Sequence, residues 1–180
     1  MACTQTLTGI TRDCLPNAGG IKTVWIANAS DIDVIDLVDD GIVSGFNMKA
    51  GKKFYVYDFS RGTSSLSSTY QVNAENGTRY VQSDLIMVFN RMDTTKRTEI
   101  LALLGSELVI VVEDNNGKKW VLGVTEGGPV IAHPVVGADA DADGLTGTAY
   151  GDRNGYSITF HWVSAELPWE SWATPPTTTI

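Results

Sequence analysis

The chain has 180 residues, 43% hydrophobic and 19% charged, with a formal net charge of −8. That length suits one domain with a real core, and no stretch carries the basic stripe that grips nucleic acid. No run of about 18 apolar residues occurs, so no helical membrane span is expected.

The start, MACTQTLTG, lacks a basic n-region and an apolar h-region, so the product is expected to be made in the cytosol and to stay soluble. Cys3 and Cys14 then act as free thiols or packing residues; a disulfide between them stays open if the protein ends up outside the cell. With histidines only at 133 and 161, a zinc site lacks ligands.

In chain order, KTVWIAN (22–28) is β-branched and aromatic and predicts a strand. DIDVIDLVDD (31–40) fits an alternating strand better than an acidic helical turn. Residues 28–41 hold five aspartates and no base. GIVSGFNM (41–48) is a further strand. KKFYVYDFS (52–60) sets Phe54 and Val56 on one face and Tyr55, Tyr57 and Phe59 on the other, which suits a strand covered on both sides.

Asn-Gly pairs at 76–77, 116–117 and 154–155 predict hairpins with type I′ turns, which need positive φ at both central residues. They separate TYQVNAE from TRYVQSDLIMVF, LVIVVED from KKWVLGV, and GTAYGDR from YSITFHW. In the last strand Tyr156, Ile158, Phe160 and Trp162 alternate with Ser157, Thr159 and His161, a dry face against a wet one. One helix is predicted over 93–105, with Asp93 as N-cap, an apolar face of Ile100, Leu101, Leu103 and Leu104, and Gly105 at its end.

The pattern predicts a mainly β fold: an antiparallel β-sandwich or partly closed barrel with one flanking α-helix and an extended hairpin. A single core is expected over residues 1–167. Pro168, Pro175 and Pro176 set residues 168–180 apart as a C-terminal arm, anchored on a surface by Trp169 and Trp172. Trp25, Trp120 and Trp162 belong to strands and to the core.

DADADG (139–144) begins like an EF-hand loop, with Asp139, Asp141 and Asp143 at positions 1, 3 and 5 and Gly144 at 6. Position 12 needs a bidentate glutamate and holds Tyr150. A solvated loop is therefore favoured over a calcium site, and any calcium bound there is weak and serves only to order the loop. No other cofactor is expected. There is no G-x-S-x-G elbow, P-loop or H-E-x-x-H. His133 and His161 have no evident catalytic partners, so the chain is expected not to be an enzyme.

The stretch from Lys52 to Asn90 encloses a middle rich in Ser, Thr, Asn and Gln. Extended polar β-structure leaves open edges that invite a second chain. KKFYVYDFSRGTSSLSSTYQV and NGTRYVQSDLIMVF as long hairpin strands, the helix TTKRTEILALLG, the hairpin LVIVVEDNNGKKWVLG and the close TGTAYGDRNGYSITFHW follow one another over roughly residues 20–163. This order resembles the tail tube-like structural proteins of tailed bacteriophages, including those of phages infecting Bacteroides-type bacteria.

The resemblance implies a virion protein assembled in the host cytoplasm. Its copies would form a homo-oligomeric ring and meet other tail or head–tail components. DNA would pass the acidic lumen without specific binding. The subunit contacts would fall on Arg61, Ser64, Leu66, Tyr70 and Val72 of the hairpin and on Trp169 and Trp172 of the arm. A carbohydrate- or surface-binding β-module and a head–tail joining or head-decoration protein are the alternatives.

Overall fold

The computed structural model describes residues 8–12, 14–39, 41–60, 62–124 and 139–177, with the backbone alone at Asp39 and Asp139. In chain order the strands are β1 (Ile21–Asn28), β2 (Ile32–Asp39), β3 (Ile42–Met48), β4 (Tyr55–Tyr57), β5 (Ser65–Asn73) and β6 (Thr78–Asn90). Then come helix α1 (Thr94–Leu104), β7 (Leu108–Asp114), β8 (Lys119–Leu122), β9 (Asp139–Leu145), β10 (Gly155–Ser164) and β11 (Trp169–Ser171). They form a seven-stranded sheet, β2-β3-β11-β8-β7-β1-β4, and a four-stranded sheet, β5-β6-β10-β9. The protein is a mainly β sandwich, with one α-helix and no closed barrel among the described residues.

The larger sheet is buried on both faces. Val24 and Ile26 of β1 and Ile110 and Val112 of β7 face the smaller sheet, where Leu85, Met87, Ile158, Phe160 and Trp162 meet them. The alternate residues Trp25, Ala27, Val109 and Val111 enter a second core with Ile35, Val43, Phe46, Phe54 and Trp169. The expectation of a single core is thus replaced by two cores sharing one sheet. Continuous apolar runs such as LVIVV are what a doubly covered strand requires. Each of these large side chains, when fully buried, contributes about 1.5–3 kcal/mol.

Residues 52–60 are likewise covered on two sides, since Phe54 and Val56 join the second core while Tyr57 and Phe59 pack on the first. Their strand is short, however. β4 pairs with β1 through Val24↔Tyr57 and Ile26↔Tyr55 and belongs to the larger sheet. The long hairpin is therefore β5–β6, paired from Ser65↔Ile86 to Asn73↔Thr78, and not a pairing of 52–60 with 78–90.

The Asn-Gly turns differ from expectation. Among the described residues Arg91 is the only non-glycine with positive φ, so no Asn adopts the type I′ conformation. At the β5–β6 tip, Asn73 Oδ1 accepts the N–H groups of Glu75 and Asn76, and Gly77 turns the chain at φ 65° in a longer loop. At β7–β8, Asp114 Oδ1 accepts the N–H groups of Asn116 and Lys118 in the same way. The third pair opens β10 instead of a turn, and GTAYGDR is loop. There Asp152 accepts the N–H groups of Ala149 and Thr148, which hold its carboxyl below the usual range.

α1 forms where predicted. Asp93 Oδ1 accepts the Lys96 N–H at 2.8 Å, satisfying a first-turn donor. Only Ile100 and Leu103 are buried; Leu101 and Leu104 are exposed, so the docked face is narrower than the apolar pattern. Gly105 ends the helix at φ −98°, outside the left-handed region.

The C-terminal segment is not an arm. β11 lies inside the larger sheet, parallel to β3 and antiparallel to β8. Trp169 is buried and its indole N–H donates to Glu166 Oε2 at 3.1 Å. Pro168 and Pro175 bound this short strand without entering its ladder. Beyond it, Phe54 donates its N–H to Pro176 O.

Candidate functional site

The base of the β5–β6 hairpin belongs to the core and its tip does not. Leu66, Ser68, Tyr70 and Val72 share one face of β5, opposite Leu85, Ser83, Val81 and Arg79 of β6. Leu66 packs on the first core, and the Ser68 and Ser83 hydroxyls meet at 2.8 Å. Past that point Tyr70 is 53% and Val72 58% exposed. β5 is an edge strand of nine residues whose ladder partner, among the described residues, is β6 alone. Among the described residues no strand pairs with its other side, which leaves backbone donors and acceptors open beside two uncovered apolar side chains.

The other residues expected at subunit contacts divide sharply. Ser64 is buried and its hydroxyl has no hydrogen-bond partner among the described residues, so it offers no surface. Leu66 is half-buried in its own core, and Trp169 sits in the second core. Trp172 is exposed, with its backbone N–H on Val43 O. Arg61 lies outside the described residues, as do Cys3 and His133, while Cys14 is exposed.

The outer face of the smaller sheet carries a side-chain relay across all its strands. Tyr80 donates to Gln71, Gln71 to Gln82, and Gln82 to both oxygens of Asp84. His161 on β10 stands between Asp84 on β6, at 2.6 Å from Nδ1, and Asp141 on β9, at 3.4 Å from Nε2. The hydrogen bond to Asp84 is the main cause of a raised His161 pKa, with the Asp141 charge assisting and partial burial opposing it. When protonated, the ring between the two carboxylates binds the strands together, and two acids against one base leave the face acidic. The period-2 pattern identified this wet face, but the partners of His161 depend on register.

The expected acidic loop is a strand. β9 pairs with β10 from Gly155↔Leu145 to His161↔Asp139, so Asp141 and Asp143 share one side and the backbone of residues 139–145 is engaged in a ladder. An EF-type loop must wrap a cation with that same backbone, which an extended strand does not do. Tyr150, at template position 12, is fully exposed. Among the described residues no group of His, Cys, Asp and Glu is arranged to hold a metal, and no helix is long and apolar enough to cross a membrane.

A groove that sequence reasoning missed lies between β4 and α1. Two adjoining cavities of about 540 and about 300 Å³ share Tyr55, Tyr57, Glu99 and Leu103 in their walls. The Tyr57 hydroxyl donates to Glu99 Oε1, and burial together with that carboxylate raises the phenol pKa, so it stays neutral. No sequence signal marks the groove, because β4 and α1 meet only through the fold.

Comparison with family models, curated proteins and solved structures returns no match.

Proposed function

We propose that this chain is a self-associating structural protein of a virion, tail tube-like, whose copies join into rings around a DNA passage. The observation that carries this reading is the open edge of β5 with Tyr70 and Val72 uncovered beside it. A long edge strand that a monomer would blunt carries no proline and no lysine here. Such an edge meeting a different surface on the next copy is a heterologous contact, and heterologous contacts close into rings when the rotation permits.

The acidic outer face supports the DNA-passage part. Asp84, Asp141 and Asp143 share that face, and like charge repels phosphates within a Debye length of about 8–10 Å. Burial of Trp169 weakens the carbohydrate-binding alternative, since only Trp172 of that pair is left exposed as a stacking platform.

Sedimentation velocity and negative-stain microscopy from micromolar to millimolar protein test the proposal. Rings that grow with concentration are expected, and stacking into tubes distinguishes a tube protein from a joining protein. Tyr70→Lys with Val72→Lys is expected to leave a folded monomer. A wild-type chain that stays monomeric throughout overturns the reading.

A further inference from the structure

Building on that assembly reading, we infer that the groove between β4 and α1 receives the β5–β6 hairpin tip of a neighbouring copy. The groove prescribes its occupant in three ways. First, β4 is the last named strand of the larger sheet: Thr177 bridges Phe54 at its start, but beyond that bridge Tyr55–Tyr57 have β1 as their one ladder partner among the described residues, so an extended segment laid beside them continues that sheet. Second, the walls are largely apolar: Phe89, Ile100, Leu103 and the ring of Tyr57 line the larger cavity.

Third, the charge open to a visitor is negative. The Lys96 ammonium is engaged by Asn90 O, Arg91 O and Asp93 Oδ2 at 2.9, 3.1 and 2.9 Å. Asp58 and Glu99 are the carboxylates in the walls; Glu99 already accepts the Tyr57 hydroxyl, so exposed Asp58 is the charge left for a visitor. The occupant must therefore be extended, apolar and cationic at its flank. The hairpin tip of this same chain meets all three conditions. β5 has an open edge, Tyr70 and Val72 are uncovered, and exposed Arg79 is the cross-strand partner of Val72 on the same face. Donor tip and receiving groove are different surfaces of one molecule, which makes the contact head-to-tail.

The test uses the full chain with Cys3→Ser and Cys14→Ser, adding Val72→Cys on the tip and Ala102→Cys in the groove wall. Both added positions are exposed, so folding is preserved. Under mild oxidation the pair is expected to give a disulfide ladder extending beyond dimers on a denaturing gel, whereas either single cysteine stops at dimers. In parallel, Ala102→Trp fills the groove and is expected to weaken assembly roughly tenfold or more. Arg79→Glu and Asp58→Lys are each expected to weaken it about five- to tenfold, and together to restore it.

Rings that form without a ladder, and whose assembly ignores Ala102→Trp and the charge exchange, overturn the groove while sparing self-association. A monomer at every concentration overturns both.

Discussion

His161 and Asp84 stand directly across from each other on β10 and β6, with Nδ1 and Oδ1 2.6 Å apart, while the far nitrogen of the same ring faces Asp141 on β9. One imidazole thus ties three strands on the acidic face. A neutral ring donates from one nitrogen only, so the protonated form alone serves both carboxylates.

A pH dependence with a definite sign follows. The folded pKa of His161 is raised, mainly by Asp84. Its contribution is fully present below the unfolded value of about 6.5 and is lost as pH rises through the folded pKa. Urea unfolding at pH 5.5 and 8.5 is expected to show lower stability at the higher pH, by no more than about 1 kcal/mol because solvent screens the pair. His161→Gln should flatten that difference, and amide exchange in β9 should quicken with pH in the wild type alone.

The last segment is expected to behave as core. Trp169→Ala should destabilise by about 3–5 kcal/mol in urea titration, the range for emptying a buried aromatic site. Truncation after Leu167 removes the strand between β3 and β8 and should abolish cooperative unfolding. A truncated chain with a native-like transition would mean the strand is dispensable.

Leu66 and Tyr70 are two residues of one face with different fates. Leu66→Ala should cost about 2–3 kcal/mol because the side chain packs on the first core. Tyr70→Ala should change monomer stability by about 0.5 kcal/mol or less, since the ring is mostly in solvent. Equal losses at both positions would show the hairpin tip to be packed in the monomer.

Gly155→Ala should be poorly tolerated. A Cβ there would lie 2.0 Å from Phe89 O, inside the β6–β10 ladder. A loss of about 3 kcal/mol is expected, as the strands must part to admit it. Thermal unfolding checks this.

Ser64→Ala should be neutral or stabilising by about 1 kcal/mol. Its buried hydroxyl has no partner among the described residues, so removing it relieves a desolvation penalty without breaking a bond seen there. A clear destabilisation would reveal an ordered water or a partner on that oxygen.

Local chemistry determined much of the strand list by itself. Alternation in YSITFHW set its two faces, β-branched runs marked β1 and β7, and Asp93 marked the helix start, because each signal depends on neighbours in sequence. The aspartates of 139–143 misled because their spacing satisfies both a cation loop and a polar strand face; only the ladder with β10 chose between them. The prolines around Trp169 suggested an arm, yet a three-residue strand fits between them once β3 and β8 stand on either side. The two cores, the clamp on His161 and the groove beside α1 were decided by tertiary structure alone. Each joins residues far apart in the chain, and no local pattern encodes which strand will lie beside which.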